Sequence, residues 1–370
     1  MRKLFVRLLL VSFGLLLAAG GAELGLRLFP GLLSEDARLR LHWAGLGASD
    51  SNTVAHPTIG YVARSGPDKL ERTDLSFTFD IDPNGFRNDW PWPEQADLVV
   101  AGDSLAFSYG VEKDESWTDA LVTKHPGLSL VNLGIVGGAP QMAERAFDAY
   151  GAKLSPKLFV FGLFLGNDVY DAEKFDAWSR NNGGEENFGL WKAFGGRPPG
   201  WQGKLYKLAK YSYLFTALQD FKRQSNRPPA TLELDGGGRV QLVPDTIGSG
   251  FVKRGSKKFT LIEAAVHAGL ERARSVGAEM VVLFFPTKEE VYMPLTVDDP
   301  PDLSTPFREA LEKHGIPTIH PLEALRERAK QGEQVYFEID GHPNAAGYAV
   351  IAEVVDAYLV ENAERLGLKL

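Results

Sequence analysis

An α/β fold built on a parallel sheet is what this sequence predicts, and three observations predict it. Five short runs rich in Val, Leu and Phe, at 97–101, 129–133, 157–164, 279–285 and 316–319, alternate with longer segments of helical spacing. The runs are apolar nearly throughout rather than at every second position, the pattern of strands covered on both faces. Three of them end in short Gly-, Asn- or Asp-containing fragments, and in open α/β sheets ligands bind at the carboxyl ends of the strands.

Composition narrows the classes. The 370 residues are 44% hydrophobic and 24% charged, ordinary for a globular chain with a full core. A formal charge of −8 leaves no basic surplus for phosphates, so nucleic acid is not the expected partner. With 0 cysteines, disulfides, thiolate metal sites, a cysteine nucleophile and a lipidated N-terminal cysteine are excluded.

The elements follow in order. Residues 1–30 open on Met1-Arg2-Lys3 and continue through an unbroken apolar or small stretch from Leu8 to Ala22, ended by Glu23. A basic start followed by an apolar core and small residues is an export signal. Leu24, Leu26, Leu28 and Phe29 lengthen that core, and Arg7 and Arg27 can snorkel to headgroups. The reading is an uncleaved single-pass anchor with the rest of the chain exported, or a secreted chain if the segment is cleaved. Residues 31–96 form a loop-rich arm, with a short strand at 75–79 and a turn at Asp82-Pro83-Asn84-Gly85.

Residues 97–370 are the α/β body. Helices are expected near 114–124, 139–153, 257–276, 304–314, 321–330 and 344–362, punctuated by Pro126 and Pro321. A stretch from about 171 to 256 interrupts the alternation as an insertion, either a lid beside the active edge or a packing element. Within it, Asp235-Gly236-Gly237-Gly238 between two alternating runs predicts a hairpin.

Four fragments carry chemistry: Gly102-Asp103-Ser104, Asn132-Leu133-Gly134-Ile135-Val136-Gly137-Gly138, Gly166-Asn167-Asp168, and Asp340-Gly341-His342-Pro343-Asn344. The first three follow successive strands, so folding alone brings them to one rim, and the fourth returns there just before the last helix. A serine nucleophile needs a base that titrates near neutrality, which is histidine, and the histidine needs a carboxylate to fix its tautomer. A glycine-rich turn and an asparagine amide can supply donors to an oxyanion. Taken singly, each fragment also reads as a cap or a turn; the order of all four is what is informative.

These fragments resemble the blocks of the SGNH hydrolase superfamily, also called GDSL esterases and lipases, over roughly 97–170 and 279–360. The resemblance implies a flavodoxin-like three-layer sandwich with a five-stranded parallel sheet. It implies Ser104 as nucleophile, His342 as general base and Asp340 as its carboxylate partner. The oxyanion hole it implies comprises Ser104, Gly137 and Asn167. One departure stands out. The family's usual Asp-x-x-His is here Asp340-Gly341-His342, with Ile339 at the usual acid position and Glu338 as the fallback carboxylate. Asp-x-His spacing resembles envelope members of the superfamily, including relatives that acetylate polysaccharides.

The expected function is a serine esterase acting on O-acyl, foremost O-acetyl, esters of cell-envelope glycans from the outer side of a bacterial inner membrane. The alternatives are an O-acetyltransferase using the same site, and a non-catalytic carbohydrate-binding or assembly protein on the same scaffold. No cofactor or metal is expected. Trp178, Trp191 and Trp201 either stack on sugar rings or pack in the core. Asp80-Ile81-Asp82-Pro83-Asn84-Gly85 begins like a calcium loop but has Pro91 where the twelfth-position glutamate belongs. His320 reads as the start of a helix, and the remaining histidines show no metal-type pairing.

Overall fold

The computed structural model describes residues 2–34, 37–38, 41, 52–182, 187–193, 211–226, 230–243, 250–296 and 302–370. In chain order the first elements are α1 (Arg2–Leu28), β1 (Thr53–His56), β2 (Gly60–Ala63), β3 (Gly66–Glu71), β4 (Ser76–Ile81) and β5 (Leu98–Gly102). Then come α2 (Ser104–Phe107), α3 (Trp117–Lys124), β6 (Leu130–Gly134), α4 (Pro140–Ala149), β7 (Leu158–Phe164), α5 (Asp168–Asn182), α6 (Phe188–Ala193) and α7 (Tyr213–Asn226). The last are β8 (Ala230–Glu233), β9 (Arg239–Leu242), α8 (Lys257–Ser275), β10 (Glu279–Phe285), α9 (Lys288–Tyr292), α10 (Thr305–Lys313), β11 (Thr318–Ile319), α11 (Leu322–Lys330) and α12 (Ala345–Leu366).

The chain divides into two units, Met1–Ser51 with Ala193–Pro228, and Asn52–Lys192 with Pro229–Leu370. In the first, Lys3–Leu28 forms an apolar helical stretch of 26 residues, with an 18-residue window of mean hydropathy 2.1. At 1.5 Å per residue that exceeds a hydrocarbon layer of about 30 Å, a length that serves an anchor and an export signal alike. Near its end the Glu23 carboxylate accepts from Ser212 Oγ and the Leu214 N–H, both at 2.8 Å, and so caps the start of α7.

The second unit is built on one parallel sheet of order β11-β10-β7-β5-β6. Numbered within the body this is 2-1-3-4-5, the flavodoxin-like doubly wound order, whose direction reverses between β5 and β7. Successive side chains of each strand feed opposite cores. Val99, Ala101, Phe159 and Phe161 meet α4, α5, α8 and α10, while Leu98, Val100, Leu158 and Val160 meet α3, α11 and α12. Both faces are therefore dry, which is why the strands need apolar residues at every position.

Element limits follow local physics. α3 starts at Trp117 rather than 114, because the Ser116 hydroxyl accepts from the Asp119 N–H as an N-cap. α12 runs to Leu366 instead of ending at 362, because Leu359 and Leu366 are buried on the second core and left-handed Gly367 (φ 62°) stops it. The expected hairpin is β8–β9, and it buries Leu234, Val240 and Leu242.

Residue 171 lies inside α5, whose Val169, Ala172, Phe175 and Trp178 face the first core. Trp178 is 1% exposed and Trp191 5%, so both indoles are core residues and neither can stack on a sugar. Trp201 lies outside the described residues. The calcium-like Asp82 is a turn residue. Its Oδ1 accepts from the N–H groups of Asn84 and Phe86, and its Oδ2 accepts from Asn88 Nδ2 and Trp92 Nε1.

Candidate active site

Ser104 begins α2 two residues beyond Gly102, the last residue of β5. Asp103 caps this short turn, its Oδ1 accepting from the Leu105 N–H at 2.9 Å. The turn sits hard on the end of β6, where a Cβ on Gly134 would fall into the backbone of Ala106 and Phe107, so only glycine lets it pack there. Arg87 of the arm holds the turn from outside, donating to the carbonyls of Ser108 (3.0 Å) and Val111 (2.8 Å).

His342 arrives on the loop before α12. Its Nε2 lies 2.7 Å from Ser104 Oγ, and its Nδ1 lies 2.5 Å from Asp340 Oδ1. The same Oδ1 accepts the His342 backbone N–H at 3.0 Å, so the two-residue spacing folds the acid back onto its histidine. Glu338 is not the orienting carboxylate. Its side chain turns to Arg239, 3.1 Å away. The Asp340 carboxylate is buried. Burial alone would raise its pKa, but the imidazole of His342 and the Arg72 guanidinium, 3.1 Å from Oδ2, outweigh that and hold it well below the usual carboxylate range.

Three groups fix the Asp340 loop. Asp74 Oδ2 accepts from the N–H groups of Ile339 (2.6 Å) and Asp340 (2.8 Å). Lys288, 2% exposed, shares its three N–H donors among the carbonyls of Phe337, Glu338, Ile339 and Asp340, which lie 3.0–3.3 Å from its Nζ. The β9 residue Gln241 donates its N–H to the Glu338 carbonyl at 2.7 Å. The Tyr109 ring lies 4.6 Å from the His342 ring, centroid to centroid.

The second and third fragments end β6 and β7 on the same edge. The Gly138 N–H donates to the Ile135 carbonyl at 2.8 Å, closing a turn in which Gly137 takes φ +68°. Among the described residues no acceptor takes the Gly137 N–H. Asn167 stands at the start of α5, where its carbonyl accepts from the N–H groups of Tyr170 and Asp171, and its buried Oδ1 has no partner among the described residues. Beside these lie three buried carboxylates, Asp103, Asp168 and Asp171. Burial pushes Asp103 up to about 6, against the pull of the Leu105 N–H and the His342 imidazole. Burial raises Asp168 well above its ordinary value, with the Asp103 charge adding to it.

His320, by contrast, is structural: its ring nitrogens lie 3.3 Å from Ser304 Oγ and 3.0 Å from Arg308, and burial lowers it to about 4. The residues that sequence reasoning missed are Tyr61, Arg72, Asp74, Arg87, Lys192 and Lys288, all scattered singly outside the four fragments.

No protein-family model matches the chain, and no curated protein matches it. Solved structures similar to part of it include a member of the lipolytic G-D-S-L family from Veillonella parvula (13% identity, 72% of this chain and 98% of that one, TM-score 0.38). A GDSL-like lipase from Bacteroides thetaiotaomicron covers 71% of this chain and 87% of its own at 12% identity and TM-score 0.35. A catalytic mutant of an acetylxylan esterase from Geobacillus stearothermophilus covers 74% and 95% at 12% identity and TM-score 0.37. The strand order and the converging fragments of this chain, rather than these likenesses, carry its resemblance to the SGNH fold.

Proposed function

We propose that this chain is a serine esterase that removes O-acyl, foremost O-acetyl, groups. The observation that carries the reading is the unbroken row Ser104 Oγ–His342 Nε2, His342 Nδ1–Asp340 Oδ1, at 2.7 and 2.5 Å. In this reading Ser104 Oγ attacks the ester carbonyl carbon while His342 Nε2 takes its proton. Asp340, kept ionised, stabilises the imidazolium and holds Nδ1 protonated. The carbonyl oxygen becomes an oxyanion facing the N–H groups of Ser104 and Gly137 and the Asn167 amide. His342 then protonates the leaving alkoxide, and the acyl group remains on Ser104. Water, deprotonated by the same imidazole, attacks the acyl-serine and releases the acid.

A glycan of the cell envelope is the proposed substrate. The basic start and long apolar helix of α1 support an exported, membrane-tethered body that meets such polymers. The test is acetate release from 4-nitrophenyl acetate and from purified O-acetylated envelope polysaccharide, with Ser104→Ala as control. Release that depends on Ser104 from both supports the reading. Release from the small ester alone removes the glycan. Equal activity of wild type and Ser104→Ala removes the mechanism. If acetate appears on an added sugar acceptor instead of in solution, the same site is a transferase.

A further inference from the structure

We propose that Tyr61, on β2 of the arm, is a positioning residue that sets the orientation of the Gly137 N–H; this rests on the reading of Gly137 as an oxyanion donor. A trans peptide unit points its carbonyl and its N–H in opposite directions. The unit that carries the Gly137 N–H has Val136 as its carbonyl, and that carbonyl accepts the Tyr61 hydroxyl at 2.8 Å. Holding the carbonyl at one end therefore aims the N–H at the other, and donation into the carbonyl also makes that N–H a stronger donor.

The next unit is held as well. The Gly137 carbonyl accepts from Lys192 Nζ at 2.9 Å, and that ammonium is itself fixed on Asp171 at 2.5 Å. Between these two clamps Gly137 takes its positive φ, a glycine-permissive conformation that also makes peptide flips easy. Tyr61 is 4% exposed, with Phe188 stacked on its ring and Gly189 close against it, so its hydroxyl has a fixed place. Burial, and then the charges of Asp171 and Asp103, raise its pKa far beyond the working range, so the hydroxyl is always a donor.

The test is Tyr61→Phe, which removes one oxygen from the packed ring. With 4-nitrophenyl acetate, kcat should fall at least about tenfold while KM moves less than about twofold, because the lost contact acts only on the developing oxyanion. The second readout is the Gly137 amide resonance in glycine-labelled protein before and after phosphonylation of Ser104. In wild type the phosphonyl oxygen should draw that amide downfield, and in Tyr61→Phe the displacement should shrink. If wild type lacks Ser104-dependent turnover, the esterase reading fails. If wild type turns over and Tyr61→Phe matches it in kcat, or the Gly137 amide ignores the adduct in wild type, the inference about Tyr61 fails by itself.

A separate cluster points to a metal site. Glu263 and His267 lie one turn apart on α8, and His314 follows the end of α10; one ligand atom from each lies within 4.8 Å of the others. The two imidazoles meet edge to face at 4.8 Å. Among the described residues none of the three side chains has a hydrogen bond or ion pair. Ligand atoms around tetrahedral zinc stand roughly 3.3 Å apart, so modest side-chain rotation gathers them. The geometry points to a divalent transition ion of the zinc type, held by two imidazoles and one carboxylate with water completing the shell. Zinc titration by calorimetry should give wild type one more equivalent than His267→Gln, with affinity at least about tenfold weaker in His314→Gln, and magnesium should not compete. Equal zinc binding by wild type and both variants, or none by wild type, overturns the site.

Discussion

Replacing Asp340 by asparagine tests the coupling between acid and base. Its Oδ1 takes both the Nδ1 and the backbone N–H of His342, and its Oδ2 takes Arg72. An asparagine amide has one acceptor end. If its NH2 faces His342, the imidazole must give up its Nδ1 proton and carry one on Nε2 instead, where it can no longer accept from Ser104. If the NH2 faces Arg72, two donors oppose each other in a buried place and the imidazolium loses its counter-charge. The analogous exchange in the serine-protease triad costs about 10⁴ in kcat, so a loss of about 10³–10⁴ is expected here, or about 4–5.5 kcal/mol of transition-state stabilisation. The assay is steady-state hydrolysis of 4-nitrophenyl acetate, with Glu338→Gln alongside. Because the Glu338 carboxylate faces Arg239, that variant should stay within about threefold of wild type. An Asp340→Asn enzyme within tenfold of wild type, or a larger loss in Glu338→Gln, would refute the assignment.

Asn167→Ala removes one proposed oxyanion donor and should lower kcat by about 10²–10³ with little change in KM; a loss below threefold in steady-state turnover would take Asn167 out of the hole. Lys288→Met removes the ammonium from the carbonyls of Phe337, Ile339 and Asp340 and leaves the Glu338 carbonyl with the Gln241 N–H alone. Urea unfolding should show a loss of roughly 3 kcal/mol, and turnover should fall with it. Asp103 has the opposite sign from a paired carboxylate. Its folded value, raised to about 6, means that the folded state binds the proton more tightly, so stability is highest below the unfolded value near 4 and falls as pH rises through about 6. Stability should therefore decline between about pH 4 and pH 6, and Asp103→Asn, which keeps an N-cap acceptor, should flatten that decline. Thermal unfolding between pH 4 and 8 reads both proteins; an unchanged slope in the variant contradicts the cause given.

Much of the fold was legible because the five strands are apolar on both faces and three of them end in turn chemistry. Two of the helix limits that moved, at Ser116 and Gly367, did so through caps whose meaning depends on neighbours. The four fragments were legible for the same reason, since a strand end fixes where its next residues go. The residues that hold the site were not. Thr287-Lys288-Glu289-Glu290 has a composition that belongs at a surface, yet all four residues are buried. Lys288 finds its partners in backbone carbonyls some fifty residues away, which leave no local pattern. Arg72 and Asp74 sit in a hairpin turn of the loop-rich arm, where charged residues are ordinary, and only the folded chain brings them to Asp340. Glu263 and His267 are different. Their spacing of four on a predicted helix was present in the sequence, and the third ligand, His314, became visible only when α10 came alongside.

Exposure of the protein to a fluorophosphonate, followed by peptide mass mapping, tests the central claim most directly. A single adduct on the Ser104 peptide in wild type, lost in Ser104→Ala and strongly slowed in His342→Ala, is the predicted result. Labelling that survives Ser104→Ala, or a wild type that takes no label under conditions that modify an ordinary serine esterase, would contradict it.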